Sequence, residues 1–371
     1  MAKKAYIGVD GVARKIKKGY IGIDGVSRKI KKAYIGIGGV ARPCWSGGEL
    51  VYYGKLTKMT TGGLYLQATS VGDYALFGGG WICSSGVIST LVNVYTSSLT
   101  KKTALALSER KQAHAATTVG NYALFAGGYN ATYSVSNVVD IFDASLTRTT
   151  DTLASSSSEL SATTVGNYAI FAGGSSTYVT AYDNKLTYKT PSKQMPCNAK
   201  LNAATTVGNY ALFAGGRVSD NESPHTKVVA YNASLTQKLP TELPSGVIRH
   251  AATSVGNYAI FAGGDPYSNQ VTVYDSSLTR TNPTTLSVAR CYMGATTIGE
   301  YAMFGGGNGS NGRSKLVEVF DASLTKTTTT NLQEVKYGLA ATTVGNYAIF
   351  AGGNGNTSNV DLTSVDAYTV A

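Results

Sequence analysis

The chain has 371 residues, of which 43 are glycine and 25 tyrosine, and only 14% are charged. This composition, rich also in Thr, Ser and Val, favours short strands joined by tight turns over helices. No apolar run approaches the ~20 residues that cross a membrane, and the start lacks the apolar core of a secretory signal. We therefore expect a chain that is made and folds in a cytoplasm, without membrane insertion.

The net charge of +11 is concentrated in residues 1–45, which hold eleven of the 32 basic residues and two of the 21 acidic ones. The same segment contains a 14-residue repeat that starts at Lys3, Lys17 and Lys31. Two copies carry Asp-Gly between β-prone runs, which is a strong signal for a two-residue hairpin turn. Residues 1–45 are therefore predicted to form a small module of β-hairpins.

Such hairpins are marginal alone, so the module needs a partner: another hairpin, further copies of the chain in a homo-oligomer, or a larger assembly. Its cations alternate with Ile, Val and Tyr at strand period, which favours docking over nucleic-acid binding; a solvated decoration is the third reading. The tandem units resemble segments of structural proteins of phages and prophages of Gram-positive bacteria, and this resemblance implies a virion anchor. The predicted anchoring residues are Lys3, Lys4, Arg14, Lys17, Lys18, Arg28, Lys31, Lys32 and Arg42.

Residues 46–371 are predicted to form a second domain from seven copies of one unit. The motif Val-Gly-Asn-Tyr-Ala-(Leu/Ile)-Phe-Ala-Gly-Gly recurs with small changes, and its tyrosine lies at positions 74, 122, 168, 210, 258, 301 and 347. Val-x-x-(Tyr/Phe) follows each copy, and Leu-Thr follows that aromatic residue in every complete unit. A fixed period in this range is typical of radial or stacked repeats.

Each unit is predicted to contain four strands. Strand A is the small-residue run before Val-Gly, strand B is Tyr-Ala-Leu-Phe-Ala, strand C is Val-x-x-Tyr, and strand D begins at Leu-Thr. The last unit ends after its strand C, whereas an unmatched strand D, residues 56–60, precedes the first unit. Pairing of these two segments would close a ring, which predicts an all-β, seven-bladed propeller.

The double glycine after strand B, the Val-x-x-Tyr-Asp of strand C and the Arg or His before strand A resemble kelch repeats. The resemblance covers residues 50–371 and implies a kelch-like propeller. The tryptophan that this family carries in strand D is missing, because the chain's two tryptophans are Trp45 and Trp81.

No catalytic constellation, metal site or cofactor motif is predicted. The three histidines and four cysteines stand far apart, without the paired spacing of a zinc site. Some kelch-like propellers are copper oxidases, and no clustered Tyr, Cys and His set of that kind appears in this sequence. His114 and His250 occupy equivalent repeat positions before strand A, which favours a packing role.

The B–C and D–A loops differ between units, whereas the A–B and C–D turns are nearly identical. Variable loops on a rigid scaffold are the usual place for recognition, although unconstrained surface loops would look the same. Aromatic residues and arginine dominate binding hot spots. The predicted binding residues are Trp81, Tyr129, Tyr133, Arg217, His225, Tyr267 and Arg313.

These features predict a non-enzymatic phage virion protein, placed in a tail fibre, a baseplate or a capsid decoration. Its N-terminal repeats would contact other virion proteins, and its loops would bind a host-surface glycan or protein. The alternatives are a bacterial intracellular scaffold for protein interactions and, third, a propeller oxidase.

Overall fold

The computed structural model describes residues 48–355 and 360–370 in full and, within residues 1–47, the backbone of six strands. These are β1 (Tyr6–Val9), β2 (Val12–Lys15), β3 (Gly19–Ile23), β4 (Val26–Ile30), β5 (Lys32–Ile37) and β6 (Val40–Ser46). They pair as β1–β2, β3–β4 and β5–β6, so each copy of the 14-residue repeat forms the predicted antiparallel hairpin. The side chains of the predicted anchoring residues lie outside the described part of the chain.

The remaining described residues form short strands and loops, and none belongs to a helix long and apolar enough to cross a membrane. The strands are β7 (Leu50–Lys55), β8 (Gln67–Val71), β9 (Tyr74–Gly78), β10 (Trp81–Ile82), β11 (Val87–Ile88), β12 (Leu91–Thr96), β13 (Leu105–Ala106), β14 (Ala115–Val119), β15 (Tyr122–Ala126), β16 (Val138–Asp143), β17 (Arg148–Thr152), β18 (Leu160–Val165), β19 (Tyr168–Gly173), β20 (Thr180–Asp183), β21 (Tyr188–Lys189), β22 (Ala203–Val207), β23 (Tyr210–Ala214), β24 (Val228–Asn232), β25 (Gln237–Lys238), β26 (Ala251–Val255), β27 (Tyr258–Ala262), β28 (Val271–Asp275), β29 (Arg280–Thr281), β30 (Arg290–Cys291), β31 (Gly294–Ile298), β32 (Tyr301–Gly305), β33 (Asn308–Gly309), β34 (Gly312–Arg313), β35 (Val317–Asp321), β36 (Lys326–Thr328), β37 (Ala340–Val344), β38 (Tyr347–Ala351) and β39 (Val365–Val370).

Within the described residues, seven antiparallel sheets have four strands each, ordered A–B–C–D as the repeats predict. They are sheet 1 (β8, β9, β12, β13), sheet 2 (β14 to β17), sheet 3 (β18 to β21), sheet 4 (β22 to β25), sheet 5 (β26 to β29), sheet 6 (β31, β32, β35, β36) and sheet 7 (β37, β38, β39, β7). The short pairings β10–β11 and β30–β33–β34 lie in the connecting loops.

The burial of each strand follows its residue pattern. In sheet 2, strand A alternates buried and half-buried residues, whereas all of strand B after Tyr122 is buried. A continuous buried run requires packing on both faces of the sheet. Strand D of the same sheet, Arg148–Thr152, is exposed throughout and polar, as an outer edge that resists edge-to-edge pairing should be.

The hydrophobic side chains of the described residues form clusters between consecutive sheets. One cluster joins Phe171 of sheet 3 to Leu124 of sheet 2, and another joins Phe77 of sheet 1 to Ile349 of sheet 7. Threonine side chains link neighbouring A strands, as in the 2.9 Å contact between the hydroxyl oxygens of Thr117 and Thr164. This all-β arrangement of four-stranded sheets is consistent with a β-propeller.

The position of strand D differs from the prediction. Leu146, expected to begin that strand in sheet 2, instead ends the C–D turn with a φ of 66°. Its N–H donates to the carbonyl of Asp143, and the side chain of Asp143 accepts bonds from the N–H groups of Ser145 and Thr147. Asp therefore caps the turn locally, and strand D begins only after Thr147.

The outer strand of sheet 7 also differs from the predicted segment. β39 pairs with Leu50–Lys55, not with residues 56–60, although Leu56 and Met59 still donate backbone hydrogen bonds to Val365 and Thr363. In the other sheets a short C–D turn sets where strand D starts. Sheet 7 has no such turn, so the pairing extends along β39 to the β-prone residues upstream.

Candidate functional site

The structure brings together seven residues, one from each repeat unit. Each of them lies two positions before the small-residue run of strand A. All seven have positive φ, between 51° and 64°. Their backbones form a circle in which each N–H donates to the carbonyl of the preceding member, at 2.8 to 3.4 Å, and Tyr65 donates to Gly338. We call these residues the central ring: Tyr65, Ala113, Glu159, Leu201, Arg249, Tyr292 and Gly338.

The central ring lines a cavity of about 170 Å³, the central cavity. A deeper space of about 260 Å³ shares part of its lining and is bordered mainly by the small residues of the A strands. Gln112 and Tyr129 extend the lining on one side, beside Glu159. The backbone is thus the same in every sheet, whereas the side chains around the cavity differ.

An aromatic wall forms one side of the central cavity. The ring centroids of Tyr65 and Tyr292 are 5.7 Å apart, and Tyr337 lies edge-on to Tyr292 at 5.8 Å. The guanidinium carbon of Arg249 lies 4.9 Å from the ring centroid of Tyr292. Burial raises the pKa of Tyr292, so its hydroxyl stays protonated near neutral pH.

The charged side chains at the cavity are paired. Lys200 lies 3.0 Å from a carboxylate oxygen of Glu159 and 2.8 Å from Asp220. Burial by itself lowers the pKa of Lys200, but hydrogen bonds to Asp220 and Glu159 outweigh it and raise the pKa overall. Arg249 is paired with Asp265 at 2.7 Å. The cavity therefore combines aromatic faces with compensated charges.

His114 and His250 lie between sheets, as their repeat position predicts. Their rings pack at 5.9 and 6.0 Å from Phe125 and Phe261 of their own sheets. Burial lowers the pKa of His114 to about 3 and that of His250 to about 4, so both imidazoles are neutral at pH 7. Equivalent positions carry leucine, methionine or asparagine, and all of these pack against the glycine pair of the preceding sheet.

Both variable loop sets lie on one face, because isolated β-bridges join them. Leu64 pairs with Trp81, Gln112 with Tyr129, and the backbone of Lys200 with that of Arg217. Two predicted binding residues therefore border the site: Tyr129 lines it, and Arg217 reaches Asp220 at 2.7 Å.

The other predicted binding residues are not among those that line the central cavity. Trp81 contacts Tyr133 at 5.7 Å, and the hydroxyl of Tyr267 accepts a hydrogen bond from Asn308. Arg313 stacks on Tyr337 at 4.7 Å. His225 is half-buried, and burial lowers its pKa. The seven predicted residues thus share a face but do not form one cluster.

Sequence reasoning missed Tyr65, Glu159, Arg249 and Tyr292. The available signal was the position before the aligned His114 and His250, which carries six different residue types in the seven units. Within the described residues, no group of three or more His, Cys, Asp or Glu is arranged to hold a metal ion. Neither protein-family models nor curated proteins give a match to the chain.

Proposed function

We propose that residues 46–371 form one closed, seven-bladed, kelch-like propeller in which the seven sheets are the blades. The hydrogen-bonded circle of the central ring supports closure, since its first and last members bond to each other. The cluster between sheets 7 and 1 supports it as well, because Phe77 and Ile349 pack as their counterparts do between other sheets.

We further propose that this propeller is a non-enzymatic binding protein of a phage virion. One observation carries the binding role: a repeated backbone presents different side chains, among them two tyrosines, an arginine and a glutamate, around a cavity on the face that holds the variable loops. Side chains that vary on a rigid, repeated backbone are the usual place for recognition. The ligand would be a host-surface glycan or protein.

The virion assignment rests on residues 1–45. Their three basic hairpins resemble phage and prophage structural proteins, and each hairpin is too small to be stable without a partner. In this proposal the hairpins contact other virion proteins and the propeller faces outward.

Two measurements test the proposed function. Antibody labelling of particles from the organism that encodes the chain should decorate the particle surface, whereas a chain found only in the soluble fraction of the cells would favour an intracellular scaffold. Fluorescently labelled full-length protein should bind intact Gram-positive cells. If it binds no cell in a panel of species that includes the phage host, the receptor role is wrong.

A further inference from the structure

We infer that the central cavity binds a single neutral pyranose unit, the exposed end of a surface glycan. This inference rests on the proposed function, because it names the ligand of the loop face. Three features carry it: the size of the cavity, its aromatic wall and the pairing of its charges.

The central cavity has room for one sugar ring. At about 170 Å³ it holds the volume of roughly five or six liquid waters, at about 30 Å³ each. The circle of backbone hydrogen bonds joins all seven sheets, so the cavity does not widen without breaking that circle. A folded protein surface would contact the outer loops but would not fill this space.

The wall formed by Tyr65 and Tyr292 offers apolar faces with polar edges. Tyrosine combines an apolar body with a hydroxyl that donates and accepts hydrogen bonds. The C–H face of a pyranose suits such a wall, and its hydroxyl groups suit the polar lining opposite, which includes Glu159 and Gln112. This mixture of aromatic and polar groups matches a ligand that is apolar on its faces and hydroxylated at its rim.

The pairing of charges argues against an ionic ligand. Arg249 already has Asp265 as a partner, and Lys200 already has Glu159 and Asp220. An anion bound here would lie beside the carboxylates of Glu159 and Asp265, and repulsion between like charges opposes its binding. A quaternary ammonium group at this wall would lie beside the positively charged guanidinium of Arg249, which contacts Tyr292, and repulsion between like charges opposes its binding. A neutral, hydroxylated ligand disturbs none of these contacts.

Isothermal titration calorimetry on the full-length protein tests the inference. The probes are the methyl glycosides of galactose, glucose, mannose and N-acetylglucosamine, with methyl galacturonide and methyl glucosaminide as charged comparators. We expect at least one neutral glycoside to bind, and to bind more tightly than either charged comparator. Tyr65→Ala should weaken this binding on the order of tenfold, because it removes one aromatic face of the wall.

Two further variants keep the test interpretable. Glu159→Gln keeps the shape of the side chain but replaces one carboxylate oxygen, a hydrogen-bond acceptor, by an amide NH₂ donor. It should therefore weaken glycoside binding while the circular dichroism spectrum of the protein stays unchanged. Tyr188→Ala is the matched control, since Tyr188 is an exposed tyrosine on strand β21 at the outer edge of sheet 3, and it should bind like the parent.

The inference is overturned if no neutral glycoside binds, if a charged comparator binds best, or if Tyr65→Ala and Glu159→Gln both bind like the parent. In each case, labelled protein that still binds cells leaves the proposed receptor role standing and excludes only the pyranose. If the full-length protein binds neither cells nor any glycoside, the proposed function is overturned together with the inference.

Discussion

Replacing both buried histidines by leucine, His114→Leu with His250→Leu, should make the stability of the protein less dependent on pH. Leucine is the natural residue at the equivalent positions 66, 160 and 339, so the replacement fits the packing between sheets. Burial lowers the histidine pKa values from 6.5 to about 3 and about 4. Two neighbours lower these pKa values further: Lys111 acts on His114, and His225 acts on His250.

The sign follows from proton binding in the two states. Above pH 6.5 the imidazoles are neutral in both states, and their full contribution to stability is present. As the pH falls below 6.5, the unfolded chain takes up protons that the folded chain does not, until the pH reaches the folded values near 3 to 4. Stability is therefore lost in this window, by about 2 kcal/mol per histidine at pH 5.

Urea denaturation of the parent and the double variant at pH 7 and pH 5 measures the effect. The parent should lose about 4 kcal/mol more than the variant between the two pH values, because the carboxylates and His225 are common to both proteins. Equal losses would show that the two histidines are protonated as easily in the folded protein as in the unfolded chain, and would refute the buried, neutral assignment.

Three other perturbations follow from the packing. Lys336→Met should cost about 3–5 kcal/mol in denaturation experiments, because it removes the cationic partner of buried Asp366, 3.0 Å away, and leaves this carboxylate with neutral hydrogen-bond donors alone; adding Asp366→Asn should recover part of the loss. Gly86→Ala should lower the free energy of unfolding by about 1 kcal/mol, and Gly127→Ala should lower it several times as much. Both glycines have positive φ, but only at Gly127 would a Cβ meet a backbone oxygen, at 2.4 Å. Equal melting temperatures of the two variants would contradict this. Deleting residues 1–55 should lower the melting temperature, whereas deleting residues 1–45 should not, and a truncation at 55 that melts like the parent would exclude the pairing of β7 with β39.

Much of the fold is determined by residues that are close together in the sequence. The Val-Gly turn, the buried run from Tyr122 to Ala126 and the glycine pair after it depend on neighbours a few residues apart, so their order and burial are readable from the repeat. The start of strand D was predicted a few residues early because Leu-Thr looks β-prone. The side chain of Asp143 and the positive φ of Leu146 hold these residues in a turn.

The candidate site belongs to the tertiary structure. Tyr65, Glu159, Arg249 and Tyr292 come from four repeats and are isolated from one another in the sequence. They meet because one backbone conformation recurs in seven sheets and their N–H groups bond around a circle. Only that arrangement places Tyr65 beside Tyr292 and the guanidinium of Arg249 against the ring of Tyr292. The sequence by itself determined the strands and their repeat, because those depend on local hydrogen bonds and alternation. Which side chains share a cavity depended on contacts between distant repeats, and only the folded chain decided it.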